Sequence, residues 1–158
     1  MTSRLARVSL LVLSLMAVSA ALAACAGAAP TTQAPAVEVP VPSNAGGPGA
    51  ALGLTGDPAA GAQVFVDSCK ECHGDAGKTG IDNPGSDDGT VPNLNPIDPG
   101  LVSADVKTNA TNIDLFLEHG STPAGSNPAK VMTAFGDEGK LTPQQIADVI
   151  AYVISLNK

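Results

Sequence analysis

The sequence predicts a small all-α domain over residues 57–158, and three observations carry that prediction. Asp57-Pro58 and Thr142-Pro143-Gln144-Gln145 read as helix starts, each joining an N-cap side chain to a proline suited to the first helical position. Gln145 adds a capping box to the second, and Ile146, Val149, Ile150, Val153 and Ile154 follow at offsets 0, 3, 4, 7 and 8, one apolar helix face. No strand pattern surrounds the cysteine pair that lies between the two helices.

The first helix runs toward Cys69-Lys70-Glu71-Cys72-His73. Gly61, Phe65, Cys69 and Cys72 are spaced by four, four and three residues, near one helix face. Gly74 to Gly100 is rich in Gly, Asp, Asn and Pro and reads as a long loop, with Val91-Pro92-Asn93-Leu94 as its apolar anchor and Leu94 reaching the core. Asp82, Asp87 and Asp88 in that loop do not match the spacing of an EF-hand. A further helix is expected over Asn112 to His119, capped from within Asn109-Ala110-Thr111, with Ile113, Phe116 and Leu117 inward and Gly120 ending it. A loop from Ser121 to Val131 leads to Met132.

The cysteine pair carries the chemistry. Two thiols separated by two residues can add to the two vinyl groups of one porphyrin, and the histidine that follows can ligate the iron. Cys69, Cys72 and His73 are therefore read as a covalent haem c attachment site, one haem per chain. A redox dithiol would call for a βαβ context. A closed zinc site needs four ligands, and beyond the motif the chain offers only Cys25 and His119. With aromatics at 3%, a domain of this size has a thin side-chain core, to which a porphyrin would add substantially.

The rest of the chain is organised differently. Residues 1–24 place Arg4 and Arg7 before an apolar run from Val8 to Val18 and then small residues, the order of an export signal. Leu22-Ala23-Ala24-Cys25 resembles the lipobox of bacterial lipoproteins, which implies a mature chain beginning at a lipidated Cys25. An uncleaved spanning helix is the alternative, but the run is short for about 20 spanning positions. Residues 25–56 read as the lipidated terminus and a disordered Pro- and Gly-rich linker, stiff from Pro30 to Pro42 and loose from Ser43 to Gly56. Fully extended, it would reach on the order of 90 Å, and as a coil roughly 30 Å.

The formal charge is −7; without Arg4 and Arg7, six lysines face fifteen acidic residues, a balance of −9. Such a surface binds nucleic acid and anionic headgroups poorly, and suits a basic or neutral docking patch on a partner.

The opposite face of a haem ligated by His73 has two candidate ligands after the leader, Met132 and His119. His119 closes a helix before Gly120, where a histidine is usually a surface group facing the helix C-terminus. At this point a resemblance becomes specific. Gly61-Ala62-Gln63-Val64-Phe65, the cysteine motif, Val91-Pro92-Asn93-Leu94, Met132-Thr133-Ala134-Phe135-Gly136 and Thr142 to Leu156 together resemble a class I monohaem cytochrome c over nearly all of residues 57–158. The resemblance implies a few short helices wrapped around one haem. It implies that the terminal helices cross through Gly61 and Phe65 against Val149 and Tyr152, and that Met132 is the sixth ligand. It also implies that the carbonyl of Pro92 accepts the ring N–H of His73. Two departures stand out: Thr133 takes the place of the usual proline after the methionine, and the loop between His73 and Pro92 is long.

The function expected is therefore that of a lipid-anchored electron carrier rather than an enzyme. It would sit on the extracytoplasmic, periplasmic face of a bacterial membrane and pass single electrons between respiratory or photosynthetic redox partners. A fixed subunit of a quinol-oxidising membrane complex is a close variant. The alternative from a different class is a haem enzyme or gas sensor with an open sixth position, for which the chain offers no evident distal histidine or arginine.

Overall fold

The computed structural model describes residues 46–97, 99 and 102–158. The expected export signal at 1–24, the lipidation site Cys25 and the linker up to residue 45 lie outside the described residues.

Among the described residues, four α-helical segments form the domain: α1 (Pro58–Ser68), α2 (Lys70–His73), α3 (Val106–His119) and α4 (Pro143–Leu156). The Asp57 side chain accepts from the Ala59 N–H at 2.8 Å and Pro58 opens α1, so the start marked in the sequence is the start observed. α4 carries the full capping box between Thr142 and Gln145. Its apolar face buries Ile146, Val149, Ile150 and Val153.

α1 and α4 make the most extensive contact between elements, and α3 packs on α4 next to them. The crossing is close because Gly61 has no side chain. A Cβ there would collide with the backbone carbonyl of Asp148 and lie 2.9 Å from the Cβ of Tyr152. One turn further on, the Phe65 and Tyr152 rings stack at a tilt. Phe65, Ile146 and Val149 are the largest apolar side chains fully buried here. Asp148 ties the crossing at its open end, accepting from the Asp57 N–H and from Gln144 Nε2, each at 2.8 Å.

Two expectations are corrected. α3 begins at Val106 rather than Asn112, because Asp105 is its N-cap and accepts from the Thr108 N–H at 2.8 Å and hydroxyl at 2.7 Å. Asn109 and Thr111, expected as caps, lie inside the helix. Asn109 instead accepts from the Ser103 N–H, and the Thr111 hydroxyl donates to the Lys107 carbonyl.

The second correction concerns the end of the glycine-rich stretch. Residues 46–56, read as loose linker, form a strap that packs on α3 and α4. A 3₁₀ turn over Ala50–Gly53 buries Ala51, the Gly49 N–H donates to Asp114 at 2.7 Å, and the Gly47 carbonyl meets the ring of His119. Small residues make this possible by letting backbone lie directly on the helix surface.

The stretch from Gly74 to Ile97 holds short β-bridges at Asp82 with Thr90 and at Leu94 with Ile97. Leu94 is half-buried against the core, as expected.

Candidate haem-binding site

Cys69 closes α1 in an α-helical backbone conformation, and a new turn starts at once, so that α1 and α2 form one bent helical run. That run delivers Cys69 into the core, while Cys72 and His73 remain half-buried at its edge. Gly74 ends α2 with φ +73°, a conformation open to glycine at little cost, and a Cβ there would also collide with the Thr79 carbonyl.

Both cysteines are free thiols. Burial, with Cys72 alongside, pushes the Cys69 thiol up to about 12. A nucleophilic redox dithiol needs a lowered thiol pKa, and this one moves the other way. His73 is shifted down from its ordinary value by burial, against an opposing hydrogen bond to Pro92, so the imidazole is neutral near pH 7.

Its Nδ1 lies 2.9 Å from the Pro92 carbonyl oxygen, an acceptor only, so Nδ1 carries the proton and donates. The lone pair of a neutral imidazole then sits on Nε2, the tautomer required of a metal ligand. The donor set therefore fits a covalently held haem: two free thiols, and an imidazole whose tautomer the fold has already chosen.

Pro92 is held in place from several sides. Val91 is buried, and its N–H donates to the Ile81 carbonyl at 2.8 Å. Leu94 and Asn95 both donate to the Gly77 carbonyl, at 2.8 and 3.0 Å.

The two candidates for the opposite face are placed differently. Met132 is half-buried against the core cluster that contains Cys69, and exchanges backbone hydrogen bonds with Ser121, at 2.8 and 3.2 Å. His119, expected as a surface group, has a side chain only 13% exposed, and both its ring nitrogens are taken. Nδ1 is 2.9 Å from Asp137 Oδ2 and Nε2 is 2.8 Å from the Gly47 carbonyl oxygen. Both neighbours are acceptors, so the ring is satisfied in full only as an imidazolium, a form with no lone pair for a metal. Asp137, first through its hydrogen bond, and then Gly47 raise the His119 pKa above its ordinary value.

Three polar residues that tie distant segments of the domain together carry no motif in the sequence. Asn83 and Asp114 are fully enclosed, and Asn157 bridges the end of α4 to the loop that supplies Pro92. Each is a polar residue in a polar stretch, and only its distant partner marks it.

Comparison with known proteins identifies the family. The family model described as cytochrome c matches residues 58–157, and the chain belongs to the cytochrome c family. The domain is accordingly an all-helical, electron-transferring one that binds covalent haem c, and members of the family are typically carriers rather than enzymes. No curated protein and no solved structure matches the chain.

Proposed function

We propose that the chain is a membrane-tethered monohaem cytochrome c that passes single electrons between redox proteins outside the cytoplasmic membrane. The observation that carries the site assignment is the His73–Pro92 hydrogen bond beside two free cysteines. Cys69 and Cys72 would hold the haem through thioethers, and His73 and Met132 would be the ligands to its iron. When bound, the haem accepts and returns one electron at its iron. Pro92 keeps His73 in the ligating tautomer, and the core around Cys69 keeps water from that side. A thioether opposite the imidazole favours the ferrous state and gives a higher potential than two histidines would.

The tether is Cys25, lipidated after removal of residues 1–24, with the Pro- and Gly-rich stretch up to residue 45 as the reach of the domain. The acidic surface suits respiratory or photosynthetic partners with a basic or neutral docking patch, whether the protein shuttles or is fixed in a quinol-oxidising complex.

Expression with a haem-attachment system and three measurements test the reading. Haem should survive denaturing electrophoresis, and the ferric protein should show the weak far-red band of methionine-ligated iron. Cys25→Ser should move the protein from the membrane to the soluble fraction. Ready carbon monoxide binding by the ferrous protein, with no far-red band in the ferric one, would overturn the carrier assignment.

A further inference from the structure

The loop that follows the cysteine motif and the loop that leads to Met132 are sewn together by their backbones. The Ala129 N–H donates to the Pro84 carbonyl at 2.9 Å, Asn127 to Gly85 at 3.3 Å, and Asp87 to Ala124 at 2.8 Å. Asn83 completes the seam from the interior. Its side chain is fully buried and acts as a stand-in for a strand partner. Nδ2 donates to the Lys130 carbonyl at 3.0 Å, and Oδ1 accepts from the Lys130 N–H at 2.7 Å. Its own backbone is engaged as well, donating to Gly89 at 2.8 Å and accepting from the Ser86 N–H and hydroxyl.

Lys130 stands two residues before Met132, whose backbone is paired with that of Ser121. The segment that carries the thioether is thus gripped at one point by Ser121 and at the other by Asn83. We propose that Asn83 is a positioning residue for Met132. Through Lys130 it couples the long loop after His73 to the segment that presents the distal ligand, so that Met132 leaves its place only by breaking the Asn83 bonds.

The proposal rests on the assignment of Met132 as ligand. It gives the long loop a task, that of holding from outside the segment that carries Met132.

Coupling of this kind is reciprocal, so it can be read from either end. Imidazole added to the ferric full-length holoprotein displaces a weakly held thioether and serves as the probe. In the unaltered protein, loss of the far-red band should be accompanied by faster amide exchange at Asn127, Ala129 and Lys130, while exchange at Ile150 and Val153 in α4 stays unchanged. Asn83→Ala leaves both backbone groups of Lys130 without buried partners, and should tighten imidazole binding roughly tenfold or more and lower the reduction potential. Gly85→Ala offers an independent route, since φ is +86° there and a Cβ would collide with the Asn127 carbonyl. It should act in the same direction with Asn83 intact.

Displacement of Met132 with no change in Lys130 exchange would overturn the proposal. So would a haem-loaded Asn83→Ala protein with unaltered imidazole affinity and potential. If that variant does not load haem, the exchange measurement on the unaltered protein decides alone. Absence of the far-red band from the unaltered protein would instead overturn the ligand assignment, and this proposal with it.

Discussion

The rings of Phe65 and Tyr152 meet with centroids 5.3 Å apart and planes tilted by 58°, one turn beyond the point where Gly61 passes against the backbone of Asp148. The two contacts are a single device. Gly61 lets α1 and α4 approach, and the approach is what brings the rings into range. Gly61→Ala should therefore cost about 1–3 kcal/mol, since the helix backbones must separate to admit one methyl group. Phe65→Ala should cost about 3–5 kcal/mol by opening a cavity in the core. Denaturant unfolding of the haem-loaded protein measures both. A native-like stability for Gly61→Ala would mean that the crossing is not close-packed.

The contacts of His119 predict that attachment of the strap depends on pH. Asp137 and the Gly47 carbonyl hold the imidazolium, and Glu118 adds negative charge nearby, so the folded pKa lies above the ordinary 6.5. A raised pKa contributes stability that is fully present below the unfolded value and is lost as pH rises through the folded one. The strap should thus be docked most firmly below about pH 6.5 and loosen above it. The amide signal of Gly49, followed from about pH 6 to about pH 9, should shift with the titration of His119. In His119→Gln that dependence should vanish. An unchanged titration of Gly49 in the variant would show that the strap does not sense this ring.

What could be read from the sequence was what is local. The α4 start is four consecutive residues whose caps satisfy one another, and the cysteine motif places its chemistry within five. The start of α3 was misread because Asn109, Thr111 and Asp105 are all competent caps. The choice fell to Asp105, whose one carboxylate satisfies both the N–H and the hydroxyl of Thr108. The strap was misread because its composition is that of a linker, and its partners Asp114 and His119 lie 65 and 72 residues further along the chain. Asn83 was invisible for the same reason, since its partner Lys130 is 47 residues away.

Asn157 fastens the end of α4 to the loop that supplies Pro92. Its Oδ1 accepts from the Ile97 N–H, and its Nδ2 donates to the carbonyls of Leu94 and Val153, all at 2.9 Å. Asn157→Ala should cost about 1–2 kcal/mol in denaturant unfolding, little more than one net hydrogen bond because the site is solvent-accessible. Asn157→Asp keeps the acceptor for Ile97 and loses the donor, and should fall between. Equal stability of all three proteins would mean that the loop is held without Asn157.

In the site proposed above, Met132 is the residue that decides between electron transfer and ligand chemistry. His119 has both nitrogens committed to acceptors, so among the described residues it is not a prepared replacement for the methionine. Met132→Ala should retain covalent haem, lose the far-red ferric band and bind carbon monoxide readily in the ferrous state. Met132→His should stay six-coordinate, bind carbon monoxide poorly, and show a potential lowered by roughly a tenth of a volt or more, within the ~0.8 V that axial ligands span. The two variants separate the roles of the ligand, since one opens the site and the other only retunes it. If Met132→Ala kept the band and the potential, the sixth ligand would lie elsewhere in the chain, and the seam between Asn83 and Lys130 would have to be explained by folding alone.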